Sequence, residues 1–253
     1  MQTKKFLHLL IAIPFLAFCV SCNNEDDYIN DEPLPSNPIV IIYENDVHCV
    51  VDGYAKLATI REQQKTLTPY VTTVSCGDFI QGDVVGAIST GGHIIDIMNH
   101  VGYDVAVPGN HEFDYGMEQF LALAEKAEFP YVSVNFNKEG EPVFAPYVII
   151  EAEGAKIAFL GICTPKTITT STPTYFQNEA GEYIYGFCQG EEGAELYNAV
   201  QASVDAARAE GADFVIAMAH LGIEYDCTPW TSSEVINNTT GIDVVLDGHS
   251  HSV

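Results

Sequence analysis

Basic side chains are scarce: the 253-residue chain holds 10 Lys and Arg against 35 Asp and Glu, a formal charge of −25. So few cations leave little with which to neutralise a nucleic-acid backbone or an anionic lipid surface, and no nucleic-acid binding is expected. Tryptophan occurs once, and beyond the first 22 residues no apolar run is long enough to span a bilayer. No internal repeat is present, which excludes solenoids and propellers. Apolar residues, by contrast, are plentiful. With 47% hydrophobic and 11% aromatic side chains, the chain can bury the core of one large domain or two small ones.

At the N-terminus, Lys4 and Lys5 precede a nearly unbroken apolar run from Phe6 to Val20, followed by Ser21-Cys22. The run is short for a membrane span and reads as a targeting segment over residues 1–22. A small residue directly before Cys22 resembles a bacterial lipoprotein signal, in which the new N-terminal cysteine is lipidated. Cys19 stands where such signals usually carry Leu, and an ordinary cleaved secretory signal is the other reading. Either exports the protein; the first makes it an outer-membrane lipoprotein, attached through lipidated Cys22 on the periplasmic or cell-surface side. Cleavage removes two lysines and no acid, taking the formal charge from −25 to −27. Residues 23–37 carry Glu25, Asp26, Asp27, Asp31 and Glu32 with Pro33 and Pro35, the composition of an extended, solvated tether. Of the seven cysteines, Cys49, Cys76, Cys163, Cys188 and Cys227 remain in the mature chain, an odd number without Cys-x-x-Cys spacing. That pattern is neither a zinc ribbon nor a disulfide framework, although an oxidising compartment would permit one bridge involving Cys188 and Cys227.

The domain proper is expected over residues 38–253. β-rich runs at Ile39–Tyr43, Tyr70–Ser75, Asp104–Val107, Tyr131–Val134, Phe214–Ala219 and Asp243–Leu246 alternate with helical patterns at Tyr54–Gln64, Gly92–Val101, Met117–Lys126 and Ala194–Glu210. Such alternation is α/β. Tyr147–Glu153 and Lys156–Ile162 flank Glu153-Gly154-Ala155 as a hairpin, which implies antiparallel strands in a second sheet. Thr164–Gln189 shows no period and reads as a long loop or insertion, where function often sits.

Polar residues cluster at the strand ends. Asp46 and His48 follow the first run, Asp78 the second, and Asn110, His111 and Glu112 the third; His220, His249 and His251 follow the last two. Open α/β sheets bind ligands outside the carboxyl ends of their strands, so groups far apart in sequence can meet there. Asp46, His48, Asp78, Asn110, His220, His249 and His251 offer only nitrogen and oxygen donors. Seven are too many for one ion of low coordination number, whereas two divalent ions sharing a carboxylate would use them all. Zinc, manganese and iron all suit such donors. Two ions would also attract phosphate into a strongly acidic protein. Taken singly, a strand-end histidine is more often structural. His93 and His100 read as surface residues, Cys49 and Cys76 as small buried thiols, and Glu112 as a backbone acceptor in its turn. Trp230 and Tyr225 could equally shape an entrance near His220 or join the core.

Asp46-Val47-His48, Gly77-Asp78, Gly109-Asn110-His111-Glu112-Phe113-Asp114, His220 and Gly248-His249-Ser250-His251 stand in the order that resembles the calcineurin-like metallophosphoesterases. With Gly53-Tyr54-Ala55-Lys56-Leu57-Ala58-Thr59, the pattern is most similar to the 5′-nucleotidase branch, which includes 2′,3′-cyclic phosphodiesterases and UDP-sugar hydrolases. The resemblance implies a four-layer α-β-β-α sandwich. It assigns Asp46, His48 and His251 to one ion, Asn110, His220 and His249 to the other, and Asp78 to the bridge. It makes His111 and Asp114 a catalytic dyad. The implied activity is two-metal hydrolysis of phosphoesters, nucleotides foremost, in which hydroxide attacks phosphorus in line with the leaving alkoxide. In that family the chain normally continues into further strands and a domain that grips the base, so a chain stopping at Val253 reads as a C-terminally incomplete sandwich, with the nucleotide-binding domain missing or separate. A catalytically silent surface module or inactive fragment is the alternative reading.

Overall fold

The computed structural model describes residues 37–252. The signal at 1–22 and all but the last residue of the tether at 23–37 lie outside the described residues.

The first half runs β1 (Val40–Glu44), α1 (Asp52–Lys65), β2 (Val71–Ser75), α2 (Val84–Ser89), α3 (Gly92–Val101), β3 (Val105–Ala106) and α4 (Met117–Lys126). Its strands form a parallel sheet in the order β1-β2-β3, with Val40 opposite Val71 and Val74 opposite Val105. Helix α3 exists because Ile94, Ile95, Met98 and Val101 recur on one buried face. It stops at Gly102, whose φ of 86° lets its N–H return to the Met98 carbonyl. His93 and His100 lie outside that face and are exposed. Helix α2 is an addition to the sequence expectation: six residues are too few to display a period.

The second half contains β4 (Asn137–Lys138), β5 (Glu141–Pro142), β6 (Tyr147–Ala152), β7 (Ala155–Cys163), α5 (Thr167–Thr170), β8 (Tyr185–Gly186), α6 (Ala194–Ala209), β9 (Phe214–His220), α7 (Ser232–Asn238) and β10 (Val244–Leu246). A second sheet has the order β10-β9-β7-β6, and a small antiparallel one the order β5-β4-β8. The expected hairpin is β6 with β7. It turns on Glu153 and Gly154, both at positive φ, as a tight two-residue loop requires.

Side-chain alternation sorts these elements into four layers. Ile41, Val74 and Val105 of the first sheet meet Ile157, Phe159, Ile216 and Met218 of the second in one buried cluster. The neighbouring residues on β7 and β9, Ala158, Leu160, Val215 and Ala217, face the other way, onto Leu196, Val200, Val204 and Ala207 of α6. Across the first sheet, Val40 and Ile42 pack on Leu57 and Ile60 of α1, while α3 and α4 enclose an aromatic cluster that includes Phe79, Phe113 and Phe120. Burying each such apolar side chain contributes about 1.5–3 kcal/mol. The α-β-β-α sandwich is therefore present. Among the described residues, no helix is long and apolar enough to cross a membrane.

Two expectations need correction, and one bridge left open does not form. Tyr131–Val134 is not a ladder strand. Its amides go in turn to the Ala106, Ala145 and Gly161 carbonyls, at 2.9, 2.9 and 2.8 Å, so it crosses from one sheet to the other. Gly161 permits the crossing, since a Cβ there would collide with the Val132 carbonyl. Thr164–Gln189 is not structureless: it holds α5, a 3-10 turn at Pro173–Phe176 and β8, pinned by Phe176 and Phe187 in the aromatic core. Scattered anchors of this kind leave no period to read. Cys188 and Cys227 form no bridge, and all five cysteines of the described residues are free thiols.

Candidate metal centre

The sheets lay their carboxyl ends side by side, and the loops leaving β1, β2, β3, β9 and β10 converge there. Five of the seven candidate ligands, Asp46, His48, Asp78, His249 and His251, sit at positive φ between 45° and 78°. Non-glycine residues adopt that region at a cost, and such strain gathers at functional sites. The loops are also pressed together. A Cβ on Gly77 would strike the Gly109 backbone, and one on Gly109 would strike the Asp78 carboxylate and the His220 ring. Glycine at both places allows the approach.

Two groups of donors result, Asp46 with His48 and His251, and Asp78 with His220 and His249, the donor atoms within each lying within 4.8 Å of one another. Asp78 stands between them: its Oδ2 is 3.1 Å from His220 Nε2 and 3.9 Å from His48 Nε2. His48 and His251 place their Nε2 atoms 3.2 Å apart, and His251 Nε2 is 3.5 Å from Asp46 Oδ1. Asp46 also accepts the His249 N–H, at 2.9 and 3.0 Å, which ties the β1 loop to the β10 loop. Asn110 is 2% exposed and its Oδ1 has no hydrogen-bond partner. His220 is wholly buried. Its Nδ1–H donates to the Cys76 carbonyl at 2.6 Å, which turns the buried Nε2 toward Asp78 Oδ2, 3.1 Å away. Buried polar atoms are seldom left unpaired, so Asn110 Oδ1 beside the Asp78–His220 pair points to an electrophile as its partner.

Electrostatics agree. Burial lowers the His220 pKa, but the Asp78 and Asp46 carboxylates outweigh it and push it up to about 10. Burial raises the Asp78 carboxyl, yet His220 and His111 together hold it well below the usual carboxylate range. The pocket between these carboxylates favours a positive charge. Burial, with His220 beside it, brings His249 down to about 4, so its ring is neutral and able to ligate. The donors are all nitrogen and oxygen, spaced in two groups about one carboxylate, and they fit two divalent ions.

Beside the centre, His111 Nδ1–H donates to Asp114 Oδ2 at 2.6 Å, and the His111 N–H donates to Asp78 Oδ1 at 2.8 Å. The Asp114 bond raises the His111 pKa against the opposing effect of burial. The His111 and His48 rings meet edge-on, 5.3 Å between centroids, so the dyad borders the first donor group.

Sequence reasoning understated some of the scaffold. Glu112, fully buried, is a clamp between two loops. Its Oε2 accepts the Asp78 and Gly109 N–H groups at 2.8 and 2.6 Å, and its Oε1 the Phe79 N–H at 2.9 Å and Ile80 N–H at 3.4 Å. Burial and the Asp78 charge push its carboxyl up to about 7. Asp247 was passed over, although its Asp-Gly dipeptide at a strand end marks a turn. Its Oδ1 accepts the Leu221, Gly222 and Gly248 N–H groups at 2.9, 3.3 and 2.9 Å, and Ser232 Oγ donates to its Oδ2. It thus joins the loop after His220 to the loop before His249. Trp230 packs partly buried against the α6 cluster, while Tyr225 is 91% exposed.

A family model described as bacterial capsule synthesis protein PGA_cap matches residues 71–253. The trifunctional nucleotide phosphoesterase protein YfkN of Bacillus subtilis is 28% identical over 237 residues, 83% of this chain and 15% of that protein. The 5′-nucleotidase of Bos taurus is 27% identical over 241 residues, 85% of this chain and 38% of that one. A crystal structure of calcineurin-like phosphoesterase YfkN from Bacillus subtilis superposes with a TM-score of 0.68 at 26% identity, covering 84% of this chain and 72% of that one. The chain thus spans well under half the length of these curated relatives.

Proposed function

The chain belongs to the family described as bacterial capsule synthesis protein PGA_cap and to the calcineurin-like metallophosphoesterases of the 5′-nucleotidase branch, and from that membership we propose that it hydrolyses phosphoesters, nucleotides foremost. The single observation that carries this reading is the pair of donor groups meeting at Asp78, with the unpartnered Asn110 Oδ1 beside them. Asp46, His48 and His251 would hold one divalent ion, Asn110, His220 and His249 the other, with Asp78 shared. Bound there, such ions polarise phosphoryl oxygens and lower the pKa of water.

The remaining work falls to the protein's own groups. Asp114 Oδ2, by accepting the Nδ1–H, fixes the His111 tautomer and stabilises its imidazolium. His111 Nε2 is then the atom from which a proton passes to the leaving oxygen, or which donates a hydrogen bond as charge builds on the phosphoryl group. The main-chain bond from His111 to Asp78 keeps the dyad in register with the shared carboxylate. The N-terminal sequence supports a site outside the cytoplasm, with the protein held at the outer membrane through lipidated Cys22.

The test is phosphate release from nucleoside 5′-monophosphates, and opening of 2′,3′-cyclic nucleotides to nucleoside monophosphates, by the chelated chain, resupplied separately with zinc, manganese and iron. Metal-restored hydrolysis is expected. A folded, metal-loaded chain that attacks neither mono- nor diesters would refute the proposal.

A further inference from the structure

The segment between β7 and α6 sends one hydroxyl into the dyad. Ser171, half-buried, donates from Oγ to Asp114 Oδ1 at 2.9 Å, while Asp114 Oδ2 accepts from His111. Both carboxylate oxygens are thereby engaged, and the plane of the carboxylate is fixed from two sides. A carboxylate held only through Oδ2 could swing about its χ2 torsion and lose the short bond to Nδ1.

The donor is itself firmly placed. Ser171 follows the last residue of α5, and its N–H returns to the Thr167 carbonyl at 3.2 Å. Thr167 is buried, its hydroxyl 3.5 Å from Cys163 Sγ at the end of β7. Lys166, one residue before α5, pairs at 2.7 Å with Asp226 in the turn that follows β9. α5 is thus pinned at both edges and presents its terminal serine to Asp114.

We propose that Ser171 is a positioning residue of the dyad, acting through Asp114 to hold Nδ1–H of His111 in place, so that the imidazolium aims its Nε2–H at the leaving oxygen. The sequence offers no motif for it: Ser171 lies 57 residues from Asp114 in a segment without period. Its kinetic consequence rests on the phosphoester reading; its structural consequence does not.

The test therefore has two arms, on the whole chain with Ser171→Ala and Ser171→Thr. In the chelated chain, at a pH high enough for the His111 ring to be neutral, its ring 15N shifts should show the proton on Nδ1. Ser171→Ala should give a mixture of tautomers, and Ser171→Thr, which keeps a hydroxyl, should restore the single one. In the metal-loaded chain, Ser171→Ala should lower kcat for an alkyl phosphate about 10-fold, as loss of a hydrogen bond to a charged group implies. KM should stay unchanged, and the loss should be smaller for 4-nitrophenyl phosphate, whose leaving group needs less proton assistance. A folded Ser171→Ala chain with unaltered His111 tautomer overturns the proposal. Equal losses on both esters overturn it as well. If the unsubstituted chain turns over no ester, the hydrolytic reading fails and the tautomer arm alone decides.

Discussion

Glu112→Gln is the most informative single substitution, because one buried carboxylate serves four N–H donors from the loops that carry Asp78 and Asn110. An amide has one acceptor oxygen. Whichever way it is turned, its NH2 group faces two of those donors, either Asp78 and Gly109 or Phe79 and Ile80. A hydrogen bond to a charged group contributes about 1.5–3 kcal/mol, and stranding a buried donor costs a similar amount. The neutral amide spares part of the cost of burying charge, which reduces the net loss to about 2–4 kcal/mol. Urea unfolding of the chelated chain, at a pH above the Glu112 value of about 7, measures this loss directly. Metal-dependent turnover should fall with it, since the Asp78 and Asn110 loops would no longer be clamped. A stability loss under about 0.5 kcal/mol, below the range for one such bond, would refute the clamp.

Other expectations are equally direct. Gly109→Ala should abolish metal-dependent activity, since its Cβ would overlap Asp78 and His220; normal turnover would show that the loops have slack. His111→Gln should lower kcat by about 100-fold or more, the usual contribution of a general acid, with metal content unchanged. Loss of metal in that variant would mean that His111 ligates. Glu44, partly buried with both carboxyl oxygens shielded from solvent, is pushed up to about 8 mainly by burial, partly offset by the Ser75 and Tyr103 hydroxyls. Between the ordinary carboxylate value of 4.5 and about 8, the folded chain holds a proton that the unfolded chain releases, so stability falls as pH rises through that window. Glu44→Gln should flatten this slope in the chelated chain, by on the order of a few kcal/mol across it, read by unfolding at the two ends. An unchanged slope would place its origin elsewhere.

The layers were legible in the sequence because most of the strands and helices are regular. Alternation on β7 and β9 and the spacing along α3 and α6 each follow from a buried face. The ligand candidates were legible for a different reason: each follows a strand, and strand ends meet on one side of the sandwich. What stayed hidden depends on contacts without period. Tyr131–Val134 has the composition of a strand, but its amides are shared between two sheets. Ser171 acts through one hydrogen bond to a residue 57 positions away, and Asp247 through N–H groups gathered from two loops. Glu112 could be read as a backbone acceptor, but not as one spanning two loops.

The central claim is that seven side chains hold two ions about Asp78, and counting ions tests it most directly. Equilibrium dialysis of the chelated chain against zinc or manganese, with elemental analysis beside Asp78→Asn, should give about two ions per chain, as a two-metal site requires, and markedly fewer for the variant. Fewer than about one ion per folded chain, or an undiminished count in Asp78→Asn, would contradict a shared centre.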